Sequence, residues 1–280
     1  MISLCSTDDR YNDDSHYVGG AQICDNLDWG TTAWAICHDA ARPAHRRRPL
    51  GASFRKAAST ATGGWADSYP NPIFRMVENL PGTRKGLIGP WGTNIRISPC
   101  PDRASVFSRN ACAGGISISR GIDTGITCEP MLRAWIQDPY PPAAIYDERP
   151  GRWVAERSWP AGVGERSLAP SPSLLAEGAR TDDVLRICSP STLGLSLGAW
   201  CGNGVDPTLP IDQRMEAGNA LVFETKPLEE AVEILGFPEF EVTLASDKPA
   251  ALISATLSLV LEDGAASRVS YGILNDNASA

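Results

Sequence analysis

The chain has 280 residues, of which 42% are hydrophobic, so it can bury a sizeable core and is long enough for two ordinary domains. Its formal net charge of −8 disfavours nucleic acid and anionic membrane surfaces as partners. No apolar run is long enough to span a bilayer, and the N-terminus does not have the pattern of a signal peptide, which predicts a cytoplasmic protein. The eight cysteines include no Cys-x-x-Cys pair, so we expect no metal site and no cofactor.

The first sixty or so residues show little regular patterning. Residues 1–35 mix short apolar pieces with the acidic stretch Thr7–Asp14, and residues 36–62 include the basic run Arg46–Arg48 without any clean periodicity. Basic runs of this kind are typical of solvated surfaces and loops.

A strand–helix–strand order follows. Gly63–Tyr69 is predicted to be the end of a strand running into a turn, and residues 72–80 carry apolar side chains at helical spacing. Asn71 is the predicted cap of this helix, with a proline after it. Lys85–Trp91 is a short apolar stretch closed by Gly-Pro-Trp, and it is predicted to be the next strand. Together these elements predict a βαβ unit of an α/β sheet.

The last 150 residues are β-like. Apolar residues alternate over Phe240–Leu244, which predicts a strand, and again over Leu257–Leu261 and Val269–Ile273. The turn sequence Glu262–Gly264 lies between the last two, which predicts a hairpin. Short strands between Pro/Gly turns indicate a sandwich or a jelly roll.

Several stretches, in their order and spacing, resemble the CocE/NonD serine hydrolases, relatives of cocaine esterase and the X-prolyl dipeptidyl-peptidases. The matching stretches are Leu4–Tyr11, His16–Gly20, Asp25–Gly30, Gly63–Asp67, Gly86–Gly92, Glu129–Trp135, Asp212–Arg214, Leu221–Leu228 and Tyr271–Asn275. The resemblance implies an α/β-hydrolase core with an inserted helical cap, followed by a C-terminal jelly-roll β-sandwich. It also implies a small ester or peptide substrate.

On this basis the chain is expected to divide into two parts. Residues 1–125 would form a partial α/β-hydrolase core, with a remnant of the cap at about 25–62. Residues 126–280 would form an incomplete jelly-roll domain of the X-prolyl-peptidase type. The chain is expected to be truncated at both ends, which would leave the faces and edges of the Lys85–Trp91 strand uncovered.

The family uses a Ser-Asp-His triad, and the resemblance assigns its acid to Asp67; a turn-capping aspartate is the alternative interpretation. The family's histidine follows the Gly-Pro-Trp strand, where this chain has Thr93. A threonine hydroxyl cannot act as a base near neutral pH. The three histidines, His16, His38 and His45, all precede the acid, which is the wrong order for this fold.

The nucleophile is also missing. The stretch Gly194–Gly198 matches Gly-x-Ser-x-Gly literally, with Ser196 at its centre. We interpret it as a chance match, because it follows the acid and has no strand-to-helix context. The true nucleophile elbow is expected just upstream of Leu4. The chain is therefore predicted to be inactive, a non-catalytic remnant of a hydrolase.

Residues 93–120 show neither alternation nor a helical stripe, and a shifted reading frame explains this. If one nucleotide was lost after the Gly92 codon, permitted codon choices let Thr93–Arg120 be re-read as HKYPHLAVPGPGIGFLQECLRWWDQYLKG. This string begins with His directly after Gly-Pro-Trp-Gly and contains an amphipathic aromatic run, as the family does. A similar but weaker shift over Arg42–Leu50 yields a segment that resembles the cap. A naturally divergent loop over 93–120 is the alternative.

A binding module is the competing function. A jelly roll can contact carbohydrate or a partner protein, although this rests on analogy between folds. The natural contact residues would be Trp135, Trp153 and Trp159, for which a place in the core is the alternative interpretation.

Overall fold

The computed structural model of the protein describes residues 2–4, 6–23, 59–92, 123–160, 162, 164–171, 173–178, 184–199 and 209–275. Most of the regular secondary structure in these residues is β-strand, and it is accompanied by one α-helix, α1 (Pro70–Asn79), and one 3₁₀-helix (Gln213–Asn219). The strands in chain order are β1 Ile2–Leu4, β2 Tyr17–Val18, β3 Ala21–Gln22, β4 Ser59–Ala66, β5 Arg84–Gly92, β6 Leu132–Gln137, β7 Gly151–Glu156, β8 Ala169–Ser171, β9 Leu174–Ala176, β10 Leu252–Val260 and β11 Ala266–Asn275.

A five-stranded sheet organises the first half of the described chain. Its strand order is β1–β4–β5–β6–β7; the first three pairings are parallel and the last is antiparallel. Helix α1 connects the parallel neighbours β4 and β5, so the predicted βαβ unit is confirmed. Strands β6 and β7, which were assigned to the second part of the chain, belong to this same sheet.

Two glycines let these elements approach closely. A Cβ on Gly64 of β4 would lie 1.8 Å from the carbonyl oxygen of Trp91 on β5. A Cβ on Gly86 of β5 would lie 2.7 Å from a methyl carbon of Val77 on α1. Contacts this short cannot be accommodated by a larger side chain without movement of the backbone or the helix.

The start of α1 differs from the prediction. The helix begins at Pro70, one residue before Asn71, and its cap position is Tyr69, which makes no side-chain capping bond. Prolines are tolerated in the first turn because their missing N–H groups would have no partner within the helix. The Asn71 side chain instead donates to Asp13 Oδ1 at 3.4 Å. The amide therefore connects the helix to the loop after β1.

Strand β5 is buried, contrary to the expectation that its faces and edges would be open. It is hydrogen-bonded to β4 on one side and to β6 on the other, and every residue from Lys85 to Gly92 is buried. Helix α1 covers one face through Ile73 and Val77. The pairing of β6 supplies the edge that was thought to be missing.

Phe74 of α1 is the centre of the aromatic packing in the core. Its side chain is 1% exposed, and its ring lies 5.8 Å from that of Trp65, 4.9 Å from that of Trp159 and 5.5 Å from that of Phe237. These four rings come from α1, β4, the segment after β7 and the C-terminal region. A single side chain therefore holds together parts of the chain that are far apart in sequence.

The C-terminal region contains the predicted hairpin. Strands β10 and β11 pair antiparallel, with a bulge where the register shifts between Leu257 and Ser258, so this prediction is confirmed. The predicted strand over Phe240–Leu244 is wrong: these residues form no strand, and the side chains of Phe240, Val242 and Leu244 are exposed. Alternation alone does not make a strand, because an extended segment also needs a hydrogen-bonded neighbour.

The small hairpin of β2 and β3 connects the N-terminal region to β11. The Asn275 backbone N–H donates to the carbonyl oxygen of Gly19 at 3.0 Å, and its side-chain amide donates to that of Gly20 at 3.3 Å. Gly19 has a φ of +53°, and a Cβ there would lie 1.9 Å from the carbonyl oxygen of Ile273. Glycine is therefore required at this contact.

We predict that Phe74→Ala lowers the free energy of unfolding by roughly 3–5 kcal/mol, because it removes a fully buried ring that three other aromatic rings contact. The control is Phe240→Ala, which removes a ring that is 54% exposed and should change stability by less than about 0.5 kcal/mol. Urea unfolding followed by tryptophan fluorescence measures both. Equal effects of the two substitutions would contradict the central role of Phe74.

Candidate functional site

Asp67 lies at the carboxyl end of β4, in the bend that leads to α1. It is 3% exposed. Its Oδ1 accepts a hydrogen bond from the backbone N–H of Ser68 at 2.7 Å, and its own N–H donates to the Gly64 carbonyl at 3.1 Å. The turn thus fixes a buried carboxylate at the edge of the parallel sheet where the strands β1, β4 and β5 all end. In open α/β sheets, functional groups are concentrated at this edge.

Further polar groups are buried beside this turn. The Tyr69 hydroxyl donates to Ser15 Oγ at 2.8 Å, and the Asp14 carboxylate accepts from the Ser15 backbone N–H at 2.8 Å. Burial raises the pKa of Tyr69, and the carboxylates of Asp14 and Asp67 raise it further, against an opposing effect of the hydrogen bond to Ser15. The phenol therefore stays neutral at physiological pH. This group could not be predicted from the sequence, because Ser15 and Tyr69 are 54 residues apart.

An arginine on α1 binds the acidic loop after β1. The Arg75 guanidinium lies 2.6 Å from carboxylate oxygens of both Asp8 and Asp13. Burial raises the pKa of Asp13, and the hydrogen bond from Arg75 offsets part of that effect. The acidic stretch was visible in the sequence, but its basic partner was not predicted. This ion pair orients the loop against the helix that follows Asp67.

Most of the other positions considered for the triad lie outside the described residues. Thr93, which occupies the place of the family's histidine, lies outside the described residues, as do His38, His45 and the whole of 93–120. The second proposed frameshift segment, Arg42–Leu50, also lies outside them, as do residues 25–58 of the proposed cap remnant. Residues 59–62 of that remnant belong to β4. His16 lies in the loop before β2, partly buried, and its carbonyl oxygen accepts from the Ile23 N–H at 2.9 Å.

Ser196 lies in an exposed series of turns and not on a nucleophile elbow. Its hydroxyl donates to Glu216 of the 3₁₀-helix, and the same carboxylate accepts from the backbone N–H of Gly194. These hydrogen bonds lower the pKa of Glu216, and the bond from Ser196 has the largest effect. The local structure confirms the absence of strand-to-helix geometry around this Gly-x-Ser-x-Gly match.

The three tryptophans named as possible contact residues lie in the packed parts of the protein. Trp159 is buried against Phe74. Trp135 and Trp153 are half-buried neighbours on β6 and β7, with ring centroids 5.4 Å apart in an edge-to-face arrangement. Trp91 packs on Trp153 from β5 at 6.1 Å. These rings stabilise the sheet and do not form an exposed aromatic platform.

The Asp212–Arg214 stretch that carried part of the resemblance has a structural role. The Asp212 carboxylate caps the 3₁₀-helix, pairs with the Arg214 guanidinium at 2.5 Å, and accepts from the Ala266 backbone N–H at 2.9 Å. Arg214 also donates to the carbonyl oxygen of Asp263 at 3.1 Å. These contacts connect the 3₁₀-helix to the turn between β10 and β11. The hydrogen bonds from Arg214, followed by that from Ala266, lower the pKa of Asp212 to about 2.

Two negative findings apply to the described part of the chain. No cluster of three or more His, Cys, Asp or Glu side chains there is arranged to hold a metal ion. None of the helices in that part has both the length and the apolar character needed to cross a bilayer.

Comparison with known proteins identifies the family. The family model for the X-Pro dipeptidyl-peptidase C-terminal non-catalytic domain matches residues 124–278, more than half of the chain. The chain belongs to this family. The match confirms the resemblance to the C-terminal part of the CocE/NonD-like proteins that was inferred from the sequence. No curated protein matches the chain.

The X-Pro dipeptidyl-peptidase C-terminal family fits the β-rich character of the region from β6 to β11. The strands in this region are consistent with a C-terminal β-sandwich domain. The matched range begins just before β6, so it includes two strands that complete the five-stranded sheet. The division after residue 125 stays a prediction.

We predict that Asp212→Ala destabilises the protein by about 1 kcal/mol at neutral pH, because it removes a helix cap. The pKa of Asp212 is lowered from 3.8 to about 2 in the folded state, so its ionised form stabilises the fold fully above about pH 4. That contribution is lost as the pH falls towards 2, where the carboxyl group protonates. The difference between the variant and the parent chain should therefore shrink below about pH 4.

Urea unfolding at pH 7 and at pH 3 measures this difference. Asp247→Ala is the matched control, because its side chain is 88% exposed and pairs only loosely, at 3.5 Å, with Lys248. A control as destabilised as Asp212→Ala would refute the assigned role of the Asp212 contacts.

Proposed function

We propose that this chain derives from a CocE/NonD-type serine hydrolase acting on esters or X-prolyl peptides, and that in its present form it does not catalyse hydrolysis. The observation that carries the proposal is the absence of any histidine after His45. Membership in a family of non-catalytic C-terminal domains supports the first part of the proposal. The position of Asp67 at the carboxyl end of β4 supports its assignment as the remaining acid of a triad.

An acid alone cannot carry out this chemistry. In a Ser-Asp-His triad the imidazole removes the proton from the hydroxyl, and the carboxylate orients the imidazole and stabilises its charged form. At the place of the family's histidine, after the strand that ends at Gly92, this chain has Thr93, which cannot take the role of the imidazole. Glu216 accepts a hydrogen bond from Ser196, but its lowered pKa makes it a weak base for an alcohol.

The alternative of a carbohydrate-binding or protein-binding module receives no support from the tryptophans. Sugar binding of this kind needs exposed aromatic faces, whereas Trp135, Trp153 and Trp159 pack on neighbouring rings. We therefore retain the non-catalytic hydrolase as the single proposal.

We predict that the purified chain shows no turnover of an X-prolyl p-nitroanilide or of a p-nitrophenyl ester. Its initial rate should equal those of Asp67→Asn and Ser196→Ala within error, because a threonine, Thr93, stands where the family has its catalytic histidine. Asp247→Asn is the matched control for loss of one carboxylate. Multiple turnovers that disappear in Asp67→Asn or Ser196→Ala but persist in Asp247→Asn would overturn the proposal.

We also predict that the gene contains a frameshift over codons 93–120. The shifted frame should encode a histidine directly after Gly92, followed by an uninterrupted reading frame through Arg120. Sequencing the gene and its transcript tests this, because the protein sequence leaves the codon choice at each residue open and the gene sequence determines it. A stop codon in the shifted frame, or a codon other than histidine at its start, would support the divergent loop instead.

A further inference from the structure

Residues 238–246 form an exposed segment whose backbone has no partner in the described part of the chain. None of its N–H or carbonyl groups makes a backbone hydrogen bond to a described residue, and every residue of the segment is exposed. The segment lies between two anchored elements. Before it, the ring of Phe237 packs on that of Phe74 with centroids 5.5 Å apart, and after it β10 begins at Leu252. Its backbone groups are therefore held at the surface, where another chain can reach them.

The side chains of this segment alternate in character. Phe240, Val242 and Leu244 are 54%, 53% and 41% exposed. Glu239 and Glu241 alternate with them and are exposed as well. In an extended strand successive side chains point to opposite faces, so this order gives one apolar face and one face that carries two carboxylates. The sequence thus has the pattern of a two-faced strand, while no described strand lies beside it.

The charges determine which kind of neighbouring strand fits. Side chains directly opposite each other on paired strands attract when their charges are opposite and repel when they are alike. A partner with lysine or arginine opposite Glu239 and Glu241, and with apolar residues opposite Phe240 and Val242, suits both faces. A second copy of the segment does not, because matching the apolar faces would bring the glutamates of both copies onto one face.

We propose that residues 238–246 bind an extended segment of another protein, in which basic and apolar residues alternate, by adding it as a neighbouring β-strand. In this mode of binding the main-chain hydrogen bonds give affinity, and the alternating side chains give specificity. The interaction uses neither Asp67 nor the tryptophans considered above. It is therefore independent of whether the chain catalyses hydrolysis.

The size of the contact determines its strength. Pairing along nine residues buries less than the roughly 1,200–2,000 Å² of a standard interface. Ion pairs between exposed side chains contribute little, and salt screens them. We therefore expect reversible binding at peptide concentrations on the order of 10–100 µM, and weaker binding as the salt concentration rises.

The first test is hydrogen exchange of the full chain in the presence of a defined peptide. The capped peptide Lys-Val-Lys-Val-Lys-Val-Lys should slow the exchange of amides in residues 238–246 several-fold, because strand pairing hydrogen-bonds them. Two matched peptides should leave the exchange unchanged: Glu-Val-Glu-Val-Glu-Val-Glu reverses the charge, and Lys-Lys-Lys-Lys-Val-Val-Val keeps the composition without the alternation. Equal protection by the last peptide would overturn the proposal, because net charge alone would then explain the binding.

Two further outcomes of this measurement would contradict the proposal. Slow exchange of the segment in the free, dilute chain would mean that another part of the same chain already pairs with it. Protection that increases with the concentration of the chain, without any peptide, would make a second copy the partner.

The second test is a charge reversal, Glu241→Lys, with binding measured by fluorescence anisotropy of the labelled peptides. The substitution should weaken binding of the alternating basic peptide several-fold and strengthen binding of the alternating acidic one, because it turns an attractive cross-strand pair into a repulsive one and the reverse. Glu165→Lys is the matched control: it makes the same change of charge at an exposed residue between β7 and β8, and it should alter neither affinity. Equal effects of the two substitutions would overturn the proposal.

The same assay tests the main-chain hydrogen bonds. An N-methylated form of the alternating basic peptide keeps its charges and side chains but has no N–H groups to donate, so it should not bind. Binding as strong as that of the unmodified peptide would refute strand addition.

Discussion

The packing of Phe74 is the interaction on which the rest of the described structure depends. Helix α1 crosses from β4 to β5, and its one large aromatic side chain fills the space between Trp65, Trp159 and Phe237. Parallel strands are stable only when their faces are covered, so the helix and the rings that hold it determine whether the sheet can form. Asp67 lies in the turn between β4 and this helix. Its position is therefore a consequence of the same packing.

The sequence predicted the elements that have a strong local signal. The glycine-rich end of β4, the apolar spacing of α1 and the Gly-Pro-Trp strand all led to the βαβ unit, and the acidic turn led to the β10–β11 hairpin. The predictions failed where a distant partner decides the outcome. Asparagine is a common helix-capping residue, but the Asn71 side-chain amide donates to Asp13 instead. Phe240–Leu244 has the apolar alternation of a strand, but these residues form no strand in the structure. Neither outcome can be predicted from ten consecutive residues, because each depends on a segment that is distant in the sequence.

The same distinction applies to the candidate site. Asp67 was assigned through a resemblance, and its local sequence alone favoured a turn-capping role, which its bond to the Ser68 N–H also fulfils. A buried carboxylate that accepts from the following amide satisfies both interpretations, so burial does not separate them. The Ser15–Tyr69 and Arg75–Asp13 contacts could not be predicted, because each joins the loop after β1 to the helix region across more than fifty residues. A motif match can also be a false positive. Gly194–Gly198 fits the pattern of a nucleophile elbow but folds into turns that Glu216 stabilises.

The matched non-catalytic domain and the sheet that carries Asp67 are not structurally independent. The match begins at residue 124, yet β6 lies immediately inside it and is hydrogen-bonded to β5. Lys85 on β5 donates to the backbone carbonyls of Thr127 and Glu129, which precede that strand. At the other end of the matched range, Asn275 is hydrogen-bonded to Gly19 in the N-terminal region. Cutting the chain at residue 125 would expose the buried edge of β5 and remove Trp159 and Phe237 from the ring of Phe74. The five-stranded sheet therefore obtains two of its strands, β6 and β7, and two of the rings around Phe74 from the region that the family model matches. Substitutions at these positions of the matched region should therefore affect the stability of the sheet that carries Asp67.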